Sequence, residues 1–385
     1  MTRAHGMRTR AVHAGEPRPL VDGAISLPIF QTSTYLLGDS EDYHDIRYMR
    51  LNNSPNHVAL GEKLAALEGT EAAVVAASGM AAISTALFSV LPDGSHLLAQ
   101  DNLYGGTLEF LKELERSRRV STSFVSLEEA DSWHRALRPE TRAFYVESLT
   151  NPLLQVGRLD EAAYFARSHG IVSLIDNTFP SPVNFRPAEM GFDLVLHSAT
   201  KYLNGHSDVV AGVVAGSAAR VKDVLHLLNI LGGTLDTHAC FLLHRGLKTL
   251  PIRVRAQSET ALAVAHFLAQ SPAVERVYYP GLEADPSYAR ARAWFAAAGG
   301  MVSFLPRGGR QAADAILARF ELPMVAPSLG GTETLVIRPA SSSHAALGPE
   351  GRKKMGIEEG LIRVSVGLED VEDLLADFEQ ALRGQ

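Results

Sequence analysis

The sequence is almost without cysteine: Cys240 is the only one among 385 residues. A single cysteine excludes an internal disulfide and a zinc site built on cysteine pairs. No run of five basic residues is present, and the formal net charge of −7 argues against a nucleic-acid partner. No apolar run has membrane-spanning length, and the N-terminus lacks an apolar signal core. We therefore expect a cytoplasmic protein that binds neither nucleic acid nor membrane and holds no metal.

Motifs for several common chemistries are also missing. There is no G-x-G-x-x-G for a dinucleotide, no H-E-x-x-H for zinc and no G-x-S-x-G for a serine nucleophile. Gly351 and Gly356 have the spacing of P-loop glycines, but Ile357 stands where that motif needs lysine. What remains is an ordinary globular composition, with 46% hydrophobic and 21% charged residues. The length allows two domains.

Short apolar runs alternate with segments of helical or loop length from residue 72 onward. Such alternation predicts an α/β fold with a largely parallel sheet covered on both faces. The predicted strands are Ala72–Ala76, Ser95–Ala99, Ser121–Val125, Ala143–Val146, Ile171–Ile175, Phe192–Leu196 and Val209–Ala215. A smaller second unit follows a long helical stretch between about 218 and 270. Its predicted strands are Val274–Tyr279, Met301–Leu305, Thr334–Ile337 and Leu361–Val366.

These patterns predict three regions. Residues 1–57 carry several prolines and glycines and are expected to form an irregular, extended arm. Residues 58–248 form the main domain, and residues 249–385 form a C-terminal domain, with the boundary near 245–255. The chain is expected to end in an amphipathic helix, since Val371, Leu374, Leu375, Phe378 and Leu382 share one helical face.

A lysine follows one of the predicted strands directly. Ser198-Ala199-Thr200-Lys201-Tyr202 comes after the apolar run Phe192–Leu196. A partly buried lysine amine can form a Schiff base with pyridoxal phosphate (PLP), because burial lowers its pKa. The hydroxyl groups of Ser198 and Thr200 would hold the phosphate. Taken alone, the segment is weak evidence for PLP, because a capped loop with a solvated lysine explains such a string more often.

Other predicted strands end in residues that suit the same site. Ligands of open α/β sheets lie beyond the carboxyl ends of the strands. Ser78-Gly79-Met80 turns into a helix and can bind a phosphate, or it is an ordinary N-cap. Tyr104 can stack on a planar ring and act as an acid, or it covers the core. Asn151 can donate to a phenolate or a carboxylate, or it is a turn residue before proline.

An acid follows the strand Ile171–Ile175. Asp176 starts the segment Asp176-Asn177-Thr178, and an acid at the end of a buried strand needs a partner. The pyridinium nitrogen of PLP is such a partner; a helix cap is the alternative. Asp176 and Lys201 are separated by one strand–helix–strand unit. Adjacent strand ends would place them at opposite edges of one ring, so five strand ends together predict a PLP site.

Together these segments resemble the Cys/Met-metabolism (trans-sulfuration) family of PLP enzymes, which includes cystathionine γ-lyase, cystathionine γ-synthase, cystathionine β-lyase, methionine γ-lyase and O-acetylhomoserine sulfhydrylase. The resemblance covers nearly the whole chain. Its matching segments are Val12–Gly15, Pro28–Tyr35, Asp176–Phe179, Ser198–Asp208, Arg245–Leu250 and Leu361–Asp370. It implies a PLP-dependent transferase fold (aspartate aminotransferase-like, fold type I), with residues 58–248 as the PLP-binding domain.

The resemblance also implies roles for individual residues. Lys201 would hold PLP and shuttle protons, while Asp176 pairs with the ring nitrogen and Tyr104 stacks on the ring. Arg363 would bind the substrate carboxylate, a bidentate task that suits guanidinium. The implied cofactor-binding residues are Ser78, Gly79, Met80, Tyr104, Asn151, Asp176, Thr178, Ser198, Thr200 and Lys201, and the implied substrate-binding residues are Asn151, Ser341, Arg363 and Glu333.

The family's Tyr-x-Arg motif is present as Tyr48 and Arg50. The resemblance implies that this pair reaches the phosphate site of a neighbouring subunit, so the N-terminal arm would complete a homodimer, usually within a tetramer. The chain departs from the family where Pro55 stands one residue late and where Leu149 replaces a proline. The first departure leaves the path of the arm open.

The resemblance predicts a carbon–sulfur lyase of methionine and cysteine metabolism. Its expected reaction is α,γ- or α,β-elimination on cystathionine or a related sulfur amino acid, giving a 2-oxo acid, ammonia and a thiol. Gly106 matches cystathionine γ-lyases and γ-synthases, whereas the segments 331–335 and 339–341 resemble methionine γ-lyases. A γ-replacement enzyme and a non-catalytic PLP-binding regulatory protein remain alternatives.

Overall fold

The computed structural model of the chain describes residues 5–39 and 46–384. Its strands are β1 (Ala72–Ala76), β2 (His96–Gln100), β3 (Ser121–Val125), β4 (Thr141–Glu147), β5 (Val172–Asp176), β6 (Leu194–Ser198), β7 (Gly212–Gly216), β8 (Val274–Tyr278), β9 (Met301–Pro306), β10 (Met324–Val325), β11 (Leu335–Ile337) and β12 (Ile362–Ser365).

The helices precede, connect and follow these strands. They are α1 (Met7–His13), α2 (Pro55–Glu68), α3 (Gly79–Val90), α4 (Gly105–Arg118), α5 (Ala130–Ala136), α6 (Leu159–Ser168), α7 (Ser181–Asn184), α8 (Pro187–Met190), α9 (Ala218–Leu231), α10 (Thr237–Leu247), α11 (Leu250–Gln270), α12 (Tyr288–Trp294), α13 (Gly309–Arg319), α14 (Gly348–Lys354) and α15 (Val371–Leu382).

The predicted, largely parallel sheet is confirmed. The first sheet has the strand order β1-β7-β6-β5-β4-β2-β3. Only β7 in it runs against its neighbours, pairing antiparallel with both β1 and β6. The other six strands share one direction, so their carboxyl ends meet at one edge. Ligand sites of α/β proteins form at that edge.

Helices cover both faces of this sheet because both faces are apolar. On one face, α3, α4 and α9 pack against inward residues such as Leu174 and Leu194. On the other face, α2, α6 and α10 pack against residues such as Ile175 and Val195. A strand buried on both sides reads as a continuous apolar run.

The N-terminal segment is more ordered than predicted. Residues Met7–His13 form α1, whose Ala11 is fully buried. The buried ammonium of Lys63 donates to the carbonyl of Ala11 at 2.9 Å, and Glu16 lies 2.8 Å from Lys248. The helix was missed because it is short and no side chain caps its start. Beyond it, residues 24–39 form little regular structure, as predicted.

The second sheet has the strand order β10-β11-β12-β9-β8. Its three longer pairings are antiparallel, and β10 joins β11 in parallel. The final helix α15 buries Leu374 and Phe378 as its amphipathic pattern predicted. The domain boundary near 245–255 stays a prediction. In the ranges that the structure describes, no helix is long and apolar enough to cross a membrane.

Candidate active site

One large cavity lies beyond the carboxyl ends of the parallel strands. It has a volume of about 1110 Å³ and is closed on one side by the second sheet. Twelve of the residues that the sequence predicted for the site line it, namely Ser78, Gly79, Met80, Tyr104, Asn151, Asp176, Thr178, Ser198, Thr200, Lys201, Ser341 and Arg363. The structure therefore brings together residues at or just after the carboxyl ends of β1, β2, β4, β5 and β6 with residues of the C-terminal unit.

The start of α3 forms a cradle for an anion. Ser78 is the N-cap, and its hydroxyl accepts from the amide of Ala81 at 3.0 Å. The amides of Gly79 and Met80 lie in the first turn, where a helix provides no internal acceptor. A Cβ at Gly79 would lie 2.9 Å from the Cβ of Ser198. Only glycine therefore allows the helix end to approach Ser198 this closely, which leaves an amide-lined niche suited to a phosphate.

The predicted hydroxyl residues lie beside this niche. The Thr178 hydroxyl accepts from the amide of Ser198 at 2.8 Å, which joins the ends of β5 and β6. The Thr200 hydroxyl accepts from the amide of Ala211 at 3.0 Å. The Thr200 hydroxyl also donates to the carbonyl of Ala211 at 3.3 Å. These bonds fix the turn between β6 and Lys201.

Asp176 is a largely buried carboxylate at the end of β5. Its Oδ1 accepts from the amide of Thr178 at 2.9 Å. Burial raises the pKa of Asp176, while the bonds from Thr178 and the nearby His197 act in the opposite direction. A cationic N–H placed in the cavity would favour the charged carboxylate. The pyridinium nitrogen of PLP is such a group, so the residue fits the predicted pairing.

Lys201 extends into the cavity from the turn after β6. Burial, followed by the positive charge of Arg363, lowers the pKa of the Lys201 ammonium to about 8. Its Nζ donates to the hydroxyl of Ser328 at 2.8 Å. A lysine with a lowered pKa and a fixed position suits covalent attachment to a carbonyl group.

Arg363 is a buried guanidinium without a carboxylate partner in the part of the chain that the structure describes. Its Nη1 donates to Oδ1 of Asn151 at 2.9 Å, and its Nη2 donates to the carbonyl of Ser328 at 3.0 Å. Its Nε is buried and has no acceptor among the described residues. Burial lowers the Arg363 pKa to about 10. A buried cation whose partners are all neutral is stabilised by an anionic ligand, so this guanidinium suits a carboxylate.

Sequence reasoning missed Ser328. Its hydroxyl binds Lys201 and its carbonyl binds Arg363, so one residue fixes both cations. Its backbone has φ +93°, a region that favours glycine and costs about 1–3 kcal/mol for other residues. The available signal was its place in the turn-rich segment Pro327–Gly331, which by itself predicts only a loop.

Three predicted residues lie outside this chain's cavity. Glu333 is near Ser207, whose hydroxyl donates to it at 3.4 Å. Tyr48 is partly exposed, and a guanidinium nitrogen of Arg50 donates to the carbonyl of Asn229 at 2.8 Å. Ser341 does line the cavity, but its hydroxyl donates to the carbonyl of Arg338. The roles of these residues stay predictions.

The donor set fits PLP as a whole. The cavity offers a lysine amine, a carboxylate for a ring nitrogen and a glycine-tight helix start for a phosphate. It also offers a guanidinium that has no carboxylate partner among the described residues and could bind a substrate carboxylate. A metal is not needed to explain these residues. Among the described residues, no group of three His, Cys, Asp or Glu side chains could hold a metal ion.

Comparison with known proteins leads to the same cofactor. Residues 8–383 match the family described as "Cys/Met metabolism PLP-dependent enzyme". The chain belongs to this family, and its cofactor is pyridoxal 5'-phosphate. Within the family it is a PLP-dependent carbon–sulfur lyase of the trans-sulfuration type, as the resemblance predicted.

Similar proteins carry several reaction names. The chain is 40% identical over 376 residues to cystathionine gamma-lyase of Bacillus subtilis, covering 97% of this chain and 98% of that protein. It is 39% identical to L-methionine gamma-lyase of Porphyromonas gingivalis (98% and 97% covered). It is 40% identical to cystathionine beta-lyase of Lactococcus lactis subsp. cremoris (98% of each covered).

The fold matches a solved enzyme throughout. The crystal structure of cystathionine gamma synthase from Xanthomonas oryzae pv. oryzae, in complex with aminoacrylate and cysteine, superposes with a TM-score of 0.95. It is 36% identical, and the match covers 99% of this chain and 98% of that chain. The predicted PLP-dependent transferase fold is thereby confirmed.

Proposed function

We propose that this enzyme eliminates the sulfur substituent of cystathionine or a related sulfur amino acid, releasing a 2-oxo acid, ammonia and a thiol. One observation carries the proposal: Ser328 holds Lys201 through its hydroxyl at 2.8 Å and Arg363 through its carbonyl at 3.0 Å. An amino acid whose carboxylate binds Arg363 then presents its Cα close to the lysine amine. Such fixed orientation is a major source of rate enhancement.

Each residue has a distinct task in this proposal. When bound, PLP supplies an electron sink that stabilises negative charge at Cα of the attached amino acid. Lys201 holds the cofactor and, once released, takes the Cα proton at Nζ. Asp176 keeps the ring nitrogen protonated. Tyr104 stacks on the ring, and its hydroxyl is the acid that protonates the departing thiolate.

The remaining site residues hold and orient. Ser78, Gly79, Met80, Ser198 and Thr200 bind the phosphate. Asn151 and Thr178 bind the cofactor. Asn151 and Ser341 also assist Arg363 in binding the substrate carboxylate. Support for Asn151 comes from its bond to the guanidinium at 2.9 Å. Glu333 would contact the distal amino group of a cystathionine-sized substrate after local rearrangement.

A second copy of the chain completes the site in this proposal. Tyr48 and Arg50 would reach the phosphate niche of the neighbouring subunit, in a dimer that pairs into a tetramer. The support is the exposed apolar surface of the arm and its surroundings, where Leu36, Leu37 and Ile25 are largely exposed. We also place the enzyme in the cytoplasm, in keeping with its single, buried cysteine.

Product identification tests the reaction. Purified enzyme is incubated with L-cystathionine, L-methionine, L-homocysteine or an O-acylated homoserine, and 2-oxo acid, ammonia and thiol are quantified. Lys201→Ala serves as the inactive control. Equal amounts of 2-oxo acid and thiol from a single sulfur amino acid are expected.

Two other results would replace the proposal. Product formation only when an O-acylated homoserine and cysteine are both present would identify a γ-replacement enzyme, a candidate favoured by the similarity to cystathionine gamma synthase. Cofactor binding without turnover of any sulfur amino acid would indicate a regulatory PLP-binding protein. Full turnover by Lys201→Ala would remove the lysine from the reaction.

A further inference from the structure

A second buried carboxyl group lies beside Asp176. Glu147 is the last residue of β4, and the parallel register pairs it with Asp176, the last residue of β5. Glu147 lines the cavity and is only 5% exposed. No step of the proposed reaction uses it.

Glu147 holds the backbone of the ring-stacking tyrosine. Its Oε1 accepts from the amide of Tyr104 at 2.6 Å. Its own amide donates to Oε1 of Gln100 at 2.9 Å, which ties β4 to the end of β2. Tyr104 is the N-cap residue of α4, but its side chain makes no capping bond. Because Tyr104 is 43% exposed, packing alone does not fix its ring.

The surroundings of Glu147 favour a neutral carboxyl group. Burial, and then the charge of Asp176, raises the pKa of Glu147 well above its ordinary value. The other ionisable groups nearby are the hydroxyl of Tyr145, on the same strand, and His197, on β6, which acts on Asp176. None of the groups that perturb Glu147 is a cation. Two adjacent carboxyl groups do not both ionise readily, and Asp176 is the one with a cationic partner in the loaded enzyme.

We propose that Glu147 is a positioning residue, which holds Tyr104 over the cofactor ring through its bond to the Tyr104 amide. This inference rests on the proposed function, in which Tyr104 stacks on PLP. Glu147 acts as an uncharged hydrogen-bond acceptor, so the single negative charge at this edge of the sheet stays on Asp176.

Two substitutions separate the acceptor from the charge. Glu147→Gln keeps an oxygen for the Tyr104 amide and removes any charge, whereas Glu147→Leu removes the acceptor at similar size. The first measurement is hydrogen–deuterium exchange of residues 101–108 in the apoprotein. The second is the dissociation constant of PLP, obtained by titrating the apoprotein, with visible circular dichroism of the bound cofactor.

Glu147→Gln should match the wild type within about twofold in both measurements. Glu147→Leu should exchange faster at residues 101–108 and bind PLP roughly 10- to 100-fold more weakly, as expected for loss of one buried bond. The substitution Tyr104→Leu supplies the matched background. There, Glu147→Leu should change PLP binding less than twofold, because its effect passes through the ring of Tyr104.

Three results would overturn the proposal. These are unchanged exchange and dichroism in Glu147→Leu, equal losses in Glu147→Gln and Glu147→Leu, or additive losses in the Tyr104→Leu background. Equal losses would mean that the charge of Glu147 is what matters. If the wild type took up no PLP at Lys201, the proposed function itself would fail. The exchange of residues 101–108 in the apoprotein would still decide whether Glu147 holds Tyr104.

Discussion

The lowered pKa of Lys201 gives a sharp prediction about how the apoprotein captures PLP. Only the neutral amine attacks the aldehyde of the cofactor, so the capture rate follows the fraction of neutral Lys201. An ordinary lysine has a pKa near 10.5, and the partly buried Lys201 has a pKa of about 8. The rate should therefore rise with pH and level off above about pH 8.

The size of the effect follows from these two values. Lowering the pKa from 10.5 to about 8 makes the neutral amine easier to form by about 3 kcal/mol. At pH 7.5, about a quarter of Lys201 would be neutral, against roughly one in a thousand for an ordinary lysine. The charge of Arg363 is the second cause of the lowered pKa, after burial. Its removal by Arg363→Met should therefore shift the midpoint of the profile to higher pH, by less than the shift that burial causes in the opposite direction.

Stopped-flow mixing of apoprotein with PLP measures this profile between about pH 6.5 and 10, with the absorbance of the bound cofactor as signal. Lys63→Met is the matched control. Lys63 is also buried with a pKa of about 8, but it binds Ala11 and Glu16 and does not line the cavity. Its substitution should leave the midpoint unchanged.

A rate that keeps rising about tenfold per pH unit beyond pH 9.5 would show that Lys201 titrates as an ordinary lysine. A midpoint that moved with Lys63→Met and not with Arg363→Met would refute the link between Arg363 and the Lys201 pKa.

Three further substitutions test the other parts of the site. Arg363→Lys should lower kcat/KM by roughly 10- to 100-fold through loss of a charge-assisted bond. The loss should be equal for substrates that differ only beyond the sulfur atom, and unequal losses in steady-state assays would contradict this. Asp176→Asn should retain some cofactor but lose most of kcat per bound PLP, and an unchanged kcat would remove Asp176 from the electron-sink role. Gly79→Ala should weaken PLP binding by about tenfold or more, because the new Cβ would lie 2.9 Å from Ser198 and would displace the start of the helix. Titration of the apoprotein with PLP measures this, and wild-type affinity would show that the start of α3 does not bind the phosphate.

The apolar runs located the strands well because strands buried on both faces leave a clear trace in sequence. The predicted strand Phe192–Leu196 lies in the structure as Leu194–Ser198. The sequence pattern ended early since His197 and Ser198 are polar. In the structure the ladder continues through both, and His197 stays buried because its Nε2 meets Oε1 of Glu68 at 2.5 Å.

Other features left no trace that a sequence pattern could detect. The strand β10 consists of Met324 and Val325, both exposed, so it has no burial pattern. Ser328 meets Lys201 across 127 residues of sequence. Glu147 directly follows the predicted strand Ala143–Val146 in the sequence, yet its partner, the Tyr104 amide, is a backbone group that any residue could supply. Contacts of this kind depend on tertiary packing.

The site places ionisable groups of the same kind side by side, two carboxyl groups and two basic groups, and this arrangement predicts how the empty enzyme behaves. Asp176 lies beside Glu147, and Lys201 and Arg363 share Ser328, so each pair raises the cost of ionising its members. A ring nitrogen at Asp176, a covalent link at Lys201 and a carboxylate at Arg363 each relieve one of these conflicts. We therefore expect PLP to raise the free energy of unfolding in urea titrations, with a smaller gain in Asp176→Asn, because a ligand that binds only the folded state stabilises it. An equal gain in Asp176→Asn and wild type would show that relief of the carboxyl pair contributes nothing to cofactor binding.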